Sequence, residues 1–206
     1  MCGRYWIERS EEIDDIINQA ERSPILDLMH GLSSHALVSS GEIRPADLVP
    51  VIAPDRQGMR AVFPMRWGFP GKSLVINARV ETSSEKRLFQ DAWRAHRCIV
   101  PASCYFEWEH LTRNDGKKVT GDKYMIRPAG EQNTWLCGLY RIENGFPEFV
   151  ILTKEAAQEI RFIHDRMPLI MPKSRVEEWI RPDAVPEELL PYAVSDVRYE
   201  KAAETE

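Results

Sequence analysis

Only four cysteines occur in the 206 residues (Cys2, Cys98, Cys104 and Cys137), and no two lie closer than six positions. That spacing excludes a CxxC zinc pair and a dense disulfide framework, and it points to a reducing compartment. Long apolar runs are also missing. Stretches such as Phe149 to Leu152 fall far short of the roughly 18–20 residues of a membrane span, and no basic segment precedes an apolar N-terminal run. The chain is therefore expected to be soluble, unsecreted and cytoplasmic, without a membrane partner. Repeats and low-complexity segments are absent, and the 14 prolines are scattered, with no linker. One domain over residues 1–206 is expected, fraying into an acidic tail from about residue 200. With 43% hydrophobic and 29% charged positions, disordered and fibrous classes are excluded.

A formal charge of −5 argues against a protein that coats nucleic acid without discrimination, yet the charge is unevenly spread. Residues 55–97 carry nine basic side chains against four acidic ones, whereas residues 176–206 carry nine acids against three basic residues. An anionic ligand is expected to meet the middle of the chain.

Apolar residues in Cys2-Gly3-Arg4-Tyr5-Trp6-Ile7 suggest a short strand. Ser10 ahead of Ile13, Ile16, Ile17 and Ala20 then has the cap and the i, i+3, i+4, i+7 stripe of an amphipathic helix. Strand-like segments follow at about 49–53, 60–65, 74–79, 97–100, 105–109, 123–127, 134–140 and 147–153. Asn114-Asp115-Gly116 and Asn144-Gly145 read as hairpin turns. A helix is expected over Glu85–His96, another ending near Ile163, and a capping box at Ser174-x-x-Glu177. The fold class is α+β, mainly antiparallel strands with peripheral helices.

Cys2 is the most informative residue. Loss of the initiator Met would leave a thiol and a free α-amine on one residue, a 1,2-aminothiol. The amine, with an unperturbed pKa near 7.7–8.0, is roughly a tenth neutral at pH 7, and the thiol near 8.5 is a few per cent thiolate. Such a pair can attack an amide or condense with an aldehyde to a five-membered thiazolidine. Asn77-Ala78-Arg79-Val80-Glu81-Thr82 follows the apolar Leu74-Val75-Ile76, which puts polar groups at a strand end. It reads either as a binding edge or as a turn with a surface arginine. In Cys104-Tyr105-Phe106-Glu107-Trp108 the Glu107 carboxylate points opposite its two aromatic neighbours, so burial would raise its pKa into the range of a general acid or base. An edge-strand glutamate facing water remains the other reading. His164, in His164-Asp165-Arg166-Met167-Pro168, is either a helix-end cap or a catalyst. His30, His35, His96 and His110 show no metal spacing, so no metal and no cofactor is expected. The tryptophans are core residues by default, Trp67 and Trp108 lying closest to the polar candidates.

Taken together, Met1-Cys2-Gly3-Arg4, Asn77-Ala78-Arg79-Val80-Glu81-Thr82, Phe106-Glu107-Trp108 and His164-Asp165-Arg166-Met167-Pro168 resemble the ordered motifs of the SOS response-associated peptidase (SRAP) family, over nearly the whole chain. The resemblance implies a barrel-like SRAP fold and a monomer that recognises abasic sites in single-stranded DNA during the DNA damage response. It implies that the lesion is trapped covalently through Cys2, by a Schiff base at C1′ and then a thiazolidine. Asn77 would orient Cys2 and the sugar, Glu107 would shuttle protons, and His164 would assist at the imine and sugar hydroxyls. Arg4, Arg79 and Arg166 would bind flanking phosphates, Trp67 and Trp108 would support or stack on the splayed strand, and Pro45 would act as a wedge. The chain departs from the family where Glu42-Ile43-Arg44-Pro45 keeps the proline of an Asn-x-x-Pro stretch without its asparagine. Met-Cys-Gly also opens class II glutamine amidotransferases, so a glutamine-amide hydrolase or a thiol (auto)peptidase remain the alternatives.

Overall fold

The computed structural model describes residues 2–32, 36–113 and 115–203. Strand β1 (Arg4–Ile7) alternates as its sequence requires: Tyr5 and Ile7 face inward and Trp6 outward. Helix α1 (Glu11–Glu21) begins at Ser10, whose Oγ accepts the Ile13 N–H at 3.3 Å, and acids in its first turn complement the helix dipole. Ile13, Ile16, Ile17 and Ala20 are buried, each isoleucine contributing about 1.5–3 kcal/mol. Helix α2 (Pro24–Leu32) follows.

Strands β3 (Leu48–Pro54), β4 (Arg60–Trp67), β6 (Arg97–Ala102), β9 (Thr134–Glu143) and β10 (Phe146–Glu155) form a closed five-stranded barrel, with β2 (Gly41–Ile43) and β5 (Asn77–Arg79) outside that ring. Closure comes from β10, which pairs antiparallel with β9 and parallel with β4 through Glu148↔Arg66 and Phe149↔Trp67. Beyond Phe149 the same edge of β10 takes β5 instead, again parallel, through Ile151↔Asn77. The sheet is thus not purely antiparallel, and the handover from β4 to β5 brings Asn77 next to the end of β4. Every residue of β3 is buried, because α1 packs across β3 and β4 from outside.

A second, antiparallel sheet runs β13–β8–β7–β1–β2, with β7 (Cys104–Thr112), β8 (Lys118–Pro128) and β13 (Val197–Lys201). Two short strands, β11 (Arg166–Pro168) and β12 (Ile170–Met171), extend the barrel sheet. One core cluster spans both sheets and contains Cys2, Tyr5, Tyr105, Trp67 and Phe149. The architecture is the expected single α+β domain, mainly antiparallel, with helices α3 (Val80–Ser83), α4 (Gln90–Ala95), α5 (Val176–Ile180) and α6 (Pro186–Leu189) on its periphery.

Several local expectations change. The helix expected over 85–96 is only α4, since Leu88 is exposed and residues 85–89 form turns. Residues 74–76 are not a strand; the strand begins at Asn77. Ser174 caps nothing, because α5 starts from Arg175 without a side-chain cap bond, and before His164 stands only a 3-10 turn at Gln158–Ile160. Asn144 and Gly145, at φ 51° and 83°, make the expected β9–β10 turn. Asn114 of the other expected turn lies outside the described residues, between β7 and β8. β13 pairs with β8 as far as Lys201.

Candidate active site

Cys2 sits at the head of β1, wholly buried, with its thiol 3.7 Å from the Arg4 carbonyl oxygen. Burial, and next the nearby Glu107 carboxylate, push the thiol pKa well above its ordinary value. The residue is held by Asn77, whose side-chain amide donates to the Cys2 carbonyl at 2.9 Å. That bond depends on the β4-to-β5 handover. The Asn77 Oδ1 is buried and has no hydrogen-bond partner among the described residues, an acceptor left open at the site. The hydroxyls of Tyr5 and Tyr105, a directly paired couple across β1 and β7, are likewise buried without a hydrogen-bond partner.

Glu107 lies on β7 with its side chain buried, on the face opposite Phe106 and Trp108. Burial raises its carboxyl pKa. His164 approaches from the turn before β11. Burial is the main cause that lowers its pKa from 6.5 to about 4, and the Arg166 backbone N–H donates to its Nδ1 at 2.9 Å. Asp165 Oδ1 stands 2.8 Å from the same nitrogen, but that carboxylate is mostly exposed, so its pull toward protonation is screened and burial prevails. An imidazole whose Nδ1 accepts carries its proton on Nε2.

His110, which sequence spacing left without a role, belongs to this cluster. Its ring centroid is 4.3 Å from that of His164, and Glu107, His110 and His164 each place one ligand-type atom within 4.8 Å of the others. Two histidines and a carboxylate are a familiar donor set for a divalent metal. A metal here would need the Nε2 lone pair of His164, where the Arg166 N–H puts the proton. The tautomer suits proton passing.

The other candidates separate. Arg79 is exposed, with its backbone carbonyl taken by the Ser83 hydroxyl, and its guanidinium is open to an anion. Arg4 is half-buried, donating to the Gly3 carbonyl and lying 3.3 Å from Glu42. Arg166 is spent: it forks onto both Glu81 oxygens at 2.7 and 2.8 Å and donates to the Thr153 carbonyl, so it is not a free phosphate ligand. Glu81 is correspondingly held below the usual carboxylate range by that hydrogen bond. Trp67 cannot stack on a strand. It is fully buried between Tyr5 and Phe149, ring centroids 5.3 and 6.3 Å away, with its indole N–H donating to the Ile76 carbonyl.

Trp108 is half-buried on the outer sheet face, where the Lys123 ammonium lies 5.3 Å from its ring and 4.0 Å from that of Phe106. A groove of about 400 Å³ lined by Trp6, Glu42, Phe106, Lys123 and Met125 opens on this face. Pro45 occupies a half-buried turn pinned to β4 by reciprocal backbone bonds, Ala46 N–H to Trp67 O and Trp67 N–H to Asp47 O.

The basic block is also partly dismantled. Arg97 is buried and donates to the carbonyls of Trp93, Arg94, Trp179, Arg181 and Ala184. Arg66 pairs with Glu148, and Arg60 with Glu177. Arg56, Lys72, Arg79, Lys86, Arg87 and Arg94 remain exposed. Among the described residues no helix is long and apolar enough to cross a membrane.

The family model described as "SOS response associated peptidase (SRAP)" matches residues 1–203. The abasic site processing protein YoaM of Bacillus subtilis is 30% identical over 215 aligned positions, covering 96% of this chain and 88% of that protein. The abasic site processing protein YedK of Escherichia coli is 36% identical over 129 positions, 57% of this chain and 54% of that protein. The crystal structure of a phage-related protein from Bordetella bronchiseptica shares the fold at a TM-score of 0.73 and 20% identity, covering 98% of this chain and 95% of that one.

Proposed function

The chain belongs to the SRAP family, and from that premise we propose that it processes abasic sites in single-stranded DNA by crosslinking to them through Cys2. The observation that carries the reading is the tie between the Asn77 amide and the Cys2 carbonyl beside a buried Glu107. An abasic deoxyribose opens to an aldehyde, the electrophile a 1,2-aminothiol takes. Burial keeps the thiol protonated, so the α-amine freed by loss of Met1 attacks first and forms the Schiff base at C1′. The thiol then adds to the imine and closes the ring. Glu107, whose carboxyl pKa is raised by burial, gives a proton to the departing sugar oxygen. Neutral His164, with its proton on Nε2, donates to the imine or a sugar hydroxyl. The open Oδ1 of Asn77 accepts from the sugar. Arg79 and Arg4 take flanking phosphates, and Trp108 with the groove beside it receives the splayed strand. The protein acts as a monomer in the cytoplasm, where the DNA lies.

Intact mass tests the proposal. Purified protein is expected to begin at Cys2 and to gain the mass of an abasic single-stranded oligonucleotide less one water, with nothing gained from an undamaged strand. Cys2→Ala keeps the amine but not the ring-closing thiol, so a stable adduct formed equally well by that variant would sink the idea. Release of ammonia from glutamine without any DNA adduct would favour the amide hydrolase.

A further inference from the structure

We propose that His110 is the proton port of this site, carrying the proton released at Cys2 from the buried Glu107 and His164 out to bulk water. The inference rests on the crosslinking chemistry above and asks where its proton goes. With an unperturbed pKa of about 7.7–8.0, the Cys2 amine is mostly ammonium at neutral pH. Condensation of that ammonium and the thiol with an aldehyde forms C1′–N and C1′–S bonds and breaks the C1′–O bonds of the carbonyl. The oxygen leaves as water. One proton is left over for each crosslink, and it arises among side chains shut away from solvent.

Among the described residues, His110 is an exposed titratable side chain within reach of both buried groups. On a regular strand Glu107 and His110 would face opposite sides. Here the β7–β8 register shifts: Trp108 pairs with Lys123 but His110 with Thr120, an extra residue on β8 that increases the local twist beside His110. The His110 backbone N–H donates to the Ile163 carbonyl at 3.0 Å, which fastens β7 to the turn bearing His164. The result is the 4.3 Å ring contact and the 4.8 Å cluster, with His110 exposed to water and Glu107 buried. The titratable and charged groups beside this cluster include Tyr105, Glu107 and Glu109 on β7 itself, Cys2 at the head of β1, and His164, Asp165 and Arg166 on the turn; Thr120, opposite on β8, is uncharged. His110 touches neither the lesion nor Cys2 in this scheme and acts through the other two groups.

The test is single-turnover crosslinking to an abasic oligonucleotide in dilute, non-nucleophilic buffer between pH 6.5 and 8. His110→Ala and His110→Gln are expected to slow adduct formation by about tenfold, less than the 10²–10⁴ of direct general acid–base groups. Strand affinity is expected to stay at the wild-type value. Added imidazole restores the rate of both variants and leaves wild-type protein unaffected. A purely structural role would not respond to imidazole. Variants that react at the wild-type rate in dilute buffer, or that stay slow in imidazole, overturn the port alone. Wild-type protein that forms no adduct overturns the crosslinking reading and the port with it.

Discussion

Glu107 and His164 share one burial and are shifted by it in opposite directions, because desolvation disfavours the charged form of each. His164 falls from 6.5 to about 4, so between those values the unfolded chain binds more protons at this residue than the folded one. Its contribution to stability therefore rises with pH through that window and is lost as pH falls toward 4. For Glu107 the folded state holds the extra proton above 4.5, and its contribution declines as pH rises. Urea midpoints measured from pH 4 to 8 are expected to rise relative to wild type at the acid end for His164→Gln and at the neutral end for Glu107→Gln. The same Glu107→Gln variant should bind strands as wild type does while crosslinking about 10²–10⁴-fold more slowly. A wild-type crosslinking rate across pH 5–8 would return the carboxylate to a structural role.

Among the elements, the turn between β2 and β3 carries a strain that a single substitution relieves. Ala46 has φ 76° immediately after Pro45, in the left-handed region where a Cβ costs about 1–2 kcal/mol. Its N–H and the neighbouring Trp67 and Asp47 backbone groups lock it there. Ala46→Gly removes that cost at the expense of a looser unfolded chain, and a net gain of about 0.5–1 kcal/mol is expected, seen as a rise of about 1–4 °C in melting temperature. An unchanged or lower Tm would show that the turn holds no such strain. Gly138 marks the opposite constraint inside the barrel, since a Cβ there would come within 2.9 Å of Cys98 Sγ and the Val150 carbonyl.

Across the whole molecule, two arginines of the same basic block have different work. Arg97 gathers five carbonyls at the ends of α4 and α5 and ties those helices to the barrel, so Arg97→Met strands buried acceptors. A loss of about 3–5 kcal/mol in urea unfolding is expected, from several stranded acceptors at about 1–3 kcal/mol each. Arg79→Ala should leave stability unchanged while lowering the log–log salt dependence of single-strand binding by about 0.7, one phosphate contact. An unchanged slope would take Arg79 off the DNA path.

By itself the sequence determined the strand and helix class, the α1 stripe under its Ser10 cap and the Asn144-Gly145 hairpin. It also determined the opposed faces of Glu107 and Trp108, because each depends on spacing within a few residues. Only the tertiary structure decided which polar groups meet. Barrel closure through parallel pairs to β10 puts Asn77 on the Cys2 carbonyl, 75 positions away. Arg166 is forked onto Glu81, and Trp67 is packed between Tyr5 and Phe149. His110 was illegible for a local reason with a distant effect. A period of two puts it on the face opposite Glu107, and what joins it to His164 is a backbone bond to a carbonyl on a turn 53 residues downstream. Periodicity is set by the covalent geometry of adjacent residues, whereas register, bulges and ion-pair choice are settled by which surfaces close on one another.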